Sequence, residues 1–126
     1  MNAMQVGRVM VPVRDQDQAI SFYTEKLGFA VAADVPFGEG ERWVEVGPAQ
    51  GGTSLALVPP RGEYQPGRMT GIAIDCPDAR AAHEELRSRG VDVDDELMGD
   101  EGNVPPMFFF RDQDANQLLL VQAQSG

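Results

Sequence analysis

The stretch Arg8-Val-Met-Val-Pro-Val-Arg-Asp15 and its counterpart Gly71-Ile-Ala-Ile-Asp-Cys-Pro-Asp78, half the chain length further on, decide the fold. Each reads as a short strand ending in an aspartate, a residue type that caps helix N-termini. Ala19, Ile20, Tyr23 and Leu27 follow Asp15, and Ala82, His83, Leu86 and Arg89 follow Asp78, at spacings that gather one side of a helix. A glycine stops each predicted helix, Gly28 and Gly90. An apolar alternation follows each, Phe29-Ala-Val31 and Val91-Asp-Val93, as a left-handed cap leading into a strand requires. Further on, Arg42-Trp-Val-Glu-Val46 matches Pro106-Met-Phe-Phe-Phe110, and Ser54-Leu-Ala-Leu-Val58 matches Gln117-Leu-Leu-Leu-Val121. The chain therefore reads as two βαβββ modules in tandem, about 6–58 and 69–123, joined by a Pro- and Gly-rich linker over 59–68. One helix per module leaves one sheet face uncovered, so the two modules are expected to form a single α+β domain over 1–126.

The 126 residues carry 10 basic and 20 acidic side chains, a formal charge of −10 that opposes binding to nucleic-acid backbones or anionic lipid. The single cysteine, Cys76, excludes an internal disulfide, and the single histidine, His83, excludes every multi-histidine metal site. Nothing in Met1 to Val13 reads as a signal peptide and no apolar run reaches membrane-spanning length, so a cytoplasmic location is expected, with no membrane or nucleic-acid partner.

The string Val13-Arg-Asp-Gln-Asp-Gln-Ala-Ile-Ser-Phe-Tyr-Thr-Glu-Lys-Leu-Gly-Phe29, with Phe110-Arg-Asp-Gln-Asp-Ala-Asn-Gln-Leu119, resembles the vicinal oxygen chelate superfamily. That superfamily includes glyoxalase I, extradiol dioxygenases, fosfomycin-resistance enzymes and bleomycin-resistance proteins. The resemblance covers about residues 6–123 and implies a mixed sheet curled around a central cavity with helices outside, in a homodimer. It also implies four metal-ligand positions, on the first and last strand of each module. Here these fall on Arg8, Ala56, Gly71 and Leu119, none of which can donate a lone pair to a cation. No metal and no cofactor are therefore expected.

Side chains alternate along a strand, so residues in phase with the ligand positions should line the cavity. This selects Arg8, Met10 and Pro12; Ser54, Ala56 and Val58; Gly71, Ala73 and Asp75; and Gln117, Leu119 and Val121. The opposite faces, Val9, Val11, Leu55, Leu57, Ile72, Ile74, Leu118 and Leu120, read as core. In the third strands Val44, Val46, Phe108 and Phe110 join the core, turning Trp43, Glu45, Met107 and Phe109 to the cavity. The expected ligand-binding set is Arg8, Met10, Trp43, Glu45, Ser54, Asp75, Met107, Phe109 and Gln117. Such an apolar cup with few polar groups suits a small organic molecule. Arg8 could clamp an anionic group or pair internally with Glu45 or Asp75.

Cys76 reads as a quiet thiol and His83 as a packing or surface residue. The acidic run Asp92, Asp94, Asp95, Glu96, Asp100 and Glu101 lacks the spacing of a calcium loop and reads as a solvated rim, one that favours a cationic ligand. Two functions remain. One is metal-free binding of a small organic molecule, an antibiotic among the candidates, like bleomycin-resistance proteins. The alternative is a lyase, isomerase or dioxygenase-like enzyme, metal-independent or metal-dependent. In the metal-free form Glu45 or Asp75 is the general base and Arg8 holds an oxyanion.

Overall fold

The computed structural model describes residues 3–99 and 101–123. The chain is α+β, and it divides between Pro66 and Gly67 into two compact units, each a βαβββ module.

In the first unit, β1 (Arg8–Pro12), α1 (Gln16–Ser21), β2 (Ala30–Pro36), β3 (Arg42–Gly47) and β4 (Ser54–Val58) build an open sheet of order β1-β4-β3-β2. Strand β1 runs parallel to β4, and the remaining neighbours are antiparallel. Asp15 caps α1 as expected, its Oδ1 accepting from the Gln18 amide at 3.0 Å. The helix does not continue to Leu27 in α geometry. It becomes a π-helical turn over Phe22–Lys26, where the Thr24 hydroxyl donates to the Ile20 carbonyl at 2.8 Å, a side-chain bond that competes with the regular ladder. Gly28 then takes φ +78°, the left-handed conformation that releases the chain into β2. Gln16 Nε2 donates to the carbonyls of Arg42 (3.1 Å) and Leu57 (2.8 Å), tying the start of α1 to β3 and β4. Val11, Ala19, Tyr23, Val44, Val46 and Leu57 are fully or almost fully buried between helix and sheet.

Residues 59–66, read from composition as a linker, fold back on this unit. Arg61 and Tyr64 exchange both backbone bonds (3.1 and 2.7 Å), the Tyr64 hydroxyl donates to the Met10 carbonyl, and Arg61 lies 3.4 Å from Glu41.

The second unit repeats the plan with β5 (Met69–Cys76), α2 (Ala79–Ser88), β6 (Asp92–Val93), β7 (Met107–Arg111) and β8 (Gln117–Gln122), in the order β5-β8-β7-β6. Asp78 Oδ1 caps α2 through the Ala81 amide at 3.1 Å, and Gly90 follows the helix at φ +83°. Phe108, Phe110, Leu118, Leu120, Leu86 and His83 form its core. Ile72 and Ile74, and Val9 in the first unit, were expected in the core but are only half-buried. All three sit on β5 or β1, edge strands with one neighbour each and correspondingly less cover.

The internal repeat is also out of step at the start of the first strand of each module. An offset of half the chain sets Gly71 against Arg8, but β5 pairs Met69 with Gln117 where β1 pairs Arg8 with Ser54, and regular pairing resumes at Ala73–Leu119. Two extra residues are absorbed in a bulge in which Gly71 has φ +76° and the Thr70 hydroxyl both donates to the Gln117 carbonyl (2.8 Å) and accepts from the Ile72 amide (3.1 Å). Met69, not Gly71, is the register equivalent of Arg8. Because the insertion is two residues, Ala73 and Asp75 keep the face expected of them.

Candidate ligand-binding face

On the sheet face of the first unit turned away from α1, four of the expected residues meet on one carboxylate. Ser54 Oγ donates to Glu45 Oε1 at 2.5 Å, Trp43 Nε1 donates to Glu45 Oε2 at 2.6 Å, and Arg8 Nε donates to the same oxygen at 3.1 Å. Register explains the meeting. Arg8 stands opposite Ser54, Glu45 opposite Ala56, and Met10 also opposite Ala56, so these side chains share one face of β1, β4 and β3. Arg8 therefore does pair internally, with Glu45.

The Glu45 side chain is 14% exposed and Arg8 52%. The Ser54 and Trp43 donors, aided by the Arg8 charge and opposed by burial, hold the Glu45 carboxyl below its ordinary value of 4.5. A carboxylate stabilised in this way is a weaker base than a free one, so Glu45 is suited to holding neighbours rather than to abstracting protons. Arg8 spends only Nε on the pair, and its Nη1 and Nη2 groups have no hydrogen-bond partner among the described residues.

Around this network the face is apolar and open. Met10 is 53% exposed, and Ala33 and Val35 of β2 stand opposite Glu45 and Trp43. Phe37, which sequence reading missed, tilts against Trp43 at a centroid separation of 6.0 Å and is 54% exposed. The available signal was an aromatic residue within the turn Pro36-Phe-Gly-Glu-Gly40, where nothing local would bury it. Pro12 and Ala56, assigned to a cavity lining, are fully buried instead.

The other four expected residues belong to the second unit. Asp75 and Met107 share a row through Val121, Phe109 stands opposite Leu119, and Gln117 stands opposite Met69 and Arg111, so all four occupy one face of that sheet. Among the described residues no side-chain hydrogen bond joins them, and Asp75 is exposed. Phe109 holds the register position that Glu45 holds in the first unit, so the polar network is peculiar to the first module.

His83 is buried in the core, edge-on to Phe108 at 4.9 Å, and its Nε2 donates to the Asp94 carbonyl at 2.6 Å. Cys76 is half-buried, and burial, with the nearby Asp78 and Asp75 charges, pushes its thiol pKa up against one backbone bond that lowers it. It is accordingly a poor nucleophile. The acidic run is partly neutralised. Arg111 grips Asp92 through two bonds (3.1 and 3.0 Å) and Asp94 through a third (2.7 Å), and Arg87 lies 3.6 Å from Asp95. Asp100 lies outside the described residues. Among the described residues no three His, Cys, Asp or Glu side chains are grouped to hold a metal. No helix among them is long and apolar enough to cross a membrane.

Residues 5–120 match the family model of the Glyoxalase/Bleomycin resistance protein/Dioxygenase superfamily. The chain belongs to this superfamily. It is 36% identical to YetH, an uncharacterised protein of Bacillus subtilis (strain 168), over 94% of this chain and 98% of YetH. Among solved structures it is similar to TnmS3, an antibiotic binding protein from Streptomyces sp. CB03234, with 35% identity, a TM-score of 0.83, and coverage of 98% of this chain and 99% of that one. It is also similar to a member of the glyoxalase/bleomycin resistance protein/dioxygenase superfamily from Sphaerobacter thermophilus DSM 20745, at 30% identity and a TM-score of 0.85, covering 96% and 98% of the two chains. The divalent metal found in glyoxalase-type members does not fit this member. The register sets Arg8, Ala56, Met69 or Gly71, and Leu119 at the positions in question. A guanidinium that stays protonated cannot ligate, alanine, glycine and leucine have no donor atom, and methionine offers only a soft thioether.

Proposed function

We propose that this superfamily member is a binding protein for a small organic molecule, held without a metal ion against the Trp43, Phe37 and Met10 face of the first module. The observation that carries this reading is the Arg8–Glu45–Trp43–Ser54 network. It is a polar anchor, with Arg8, Trp43 and Ser54 all bonded to the Glu45 carboxylate, set into an exposed apolar, aromatic surface, the combination that orients small ligands. The likeness to TnmS3, an antibiotic binding protein, over nearly the whole chain supports an antibiotic as the ligand class. The enzymatic reading gains nothing from Glu45, whose three donors weaken it as a base.

Thermal-shift screening against aromatic antibiotics and divalent cations, followed by titration of the single tryptophan's fluorescence, tests the proposal. An aromatic antibiotic is expected to raise the melting temperature and quench Trp43 saturably, zinc, nickel and manganese to do neither, and elemental analysis to find no stoichiometric metal. Stabilisation by a divalent cation with none by any aromatic compound would overturn it. Trp43→Ala should weaken binding by about 1–3 kcal/mol if the indole is a stacking surface.

The protein is further proposed to be a homodimer. Val31 of the edge strand β2 is 46% exposed, apolar surface on an edge of the kind that oligomers cover. Light scattering at micromolar concentration is expected to give twice the chain mass, and a monomer would refute this.

A further inference from the structure

Resting on the binding face proposed above, we infer that the ligand is an aromatic acid, its planar carboxylate or equivalent oxygen pair gripped by the terminal nitrogens of Arg8 while its ring system lies along Trp43 and Phe37. The inference starts from how Arg8 is held. Glu45 Oε2 accepts from Nε at 3.1 Å, and Glu45 itself is fixed by Trp43 and Ser54. A guanidinium presents five N–H groups in one plane. Fixing the Nε edge leaves the fork of Nη1 and Nη2 directed away from Glu45, with the side chain half exposed. That fork matches two oxygens of a planar anion in parallel bonds, which a single ketone or an ammonium group does not satisfy.

The neighbouring surface selects the rest of the molecule. Trp43 bonds to the same Glu45 oxygen as Arg8, so its indole is fixed beside the guanidinium. Phe37 and Val35 extend the apolar area past Trp43, away from the charge. A ligand with its oxygen pair at one end and a flat apolar body behind it follows that layout. The overall charge of −10 does not decide against an anion. At physiological ionic strength charges more than about 8 Å away are largely screened, so distant carboxylates slow the approach while Arg8 governs the bound state. A cationic ligand would meet a carboxylate that already accepts from Arg8, Trp43 and Ser54, and whose charge Arg8 already pairs.

Three probes with one ring system and different handles test the inference: 1-naphthoate, naphthalene-1-methanol and 1-naphthylmethylammonium, each titrated by Trp43 fluorescence and calorimetry. Naphthoate is expected to bind about tenfold or more tighter than the alcohol, and the ammonium compound weakest. Arg8→Ala should lower naphthoate affinity by about tenfold and the alcohol's by less than about twofold, removing the preference. Arg8→Lys, which keeps the charge and loses the fork, should retain only part of the preference. Circular dichroism and melting curves of both variants establish that they fold. Equal binding of all three probes, a preference for the ammonium compound, or a naphthoate preference that survives Arg8→Ala would overturn the acid reading and leave the binding face standing. Failure of all three to bind at millimolar concentration would overturn the face and the acid together.

Discussion

Replacing Phe108 by alanine is expected to lower the stability of the protein by about 3–5 kcal/mol, the range for truncating a fully buried aromatic ring that its surroundings cannot collapse upon. Phe108 is completely buried in β7, opposite Leu120 of β8, with the His83 ring edge-on to it at 4.9 Å. Its loss would leave a cavity between sheet and α2 and remove the packing that holds His83 against the Asp94 carbonyl. Urea denaturation of Phe108→Ala checks the magnitude, with Phe109→Ala as the control. Phe109 alternates to the other face and is only half-buried, so its truncation should cost roughly 1–2 kcal/mol less. Equal losses for the two would mean that the alternation along β7 is misread.

The second large effect is expected at Asp112, in the β7–β8 turn. Its Oδ1 accepts from the Asp114 amide at 2.9 Å and the Asn116 amide at 3.0 Å, and its Oδ2 accepts from Asn116 Nδ2 at 3.1 Å. Asn116 Oδ1 in turn accepts from the Gly67 amide at 2.9 Å, tying the turn to the chain that enters β5. These bonds also hold Ala115 at φ 61°, a left-handed conformation that costs a non-glycine residue about 1–2 kcal/mol. Asp112 and Asn116 are buried, so Asp112→Ala strands donors away from water. A loss of about 3 kcal/mol is expected, with Asp112→Asn costing less because one acceptor oxygen remains. Hydrogen exchange should show faster exchange at the amides of Asp114 and Asn116. Unchanged protection in Asp112→Ala would show that the turn is held by its backbone bonds alone.

This turn also explains the segment Phe110-Arg-Asp-Gln-Asp-Ala-Asn-Gln-Leu119, which carried part of the family resemblance. Arg111, Asp112 and Asn116 in it serve the architecture. Arg111 bridges to Asp92 and Asp94, and Asp112 with Asn116 closes the hairpin. The repeat units are thus marked in sequence by capping and turn residues rather than by site chemistry.

Local rules determined a large part of this protein from sequence. Asp15 and Asp78 as caps, Gly28 and Gly90 as stops, and the period-two alternation that buried Val44, Val46, Phe108 and Phe110 all depend on residues a few positions apart, and the chain specifies them wherever it folds. The same alternation put Arg8, Trp43, Glu45 and Ser54 on one face. Only tertiary structure decided what they do there. Glu45 chooses its partners from β1, β4 and its own strand, and the bond to Arg8 spans 37 positions. Pairing register and side-chain rotamer fix such a contact, and neither is encoded in any short window of sequence. The bulge at Gly71 makes the same point for the backbone. Two inserted residues preserve alternation beyond them, so the pattern of apolar residues is blind to the insertion, and only the hydrogen bonds between β5 and β8 reveal that Met69 stands where the repeat had placed Gly71.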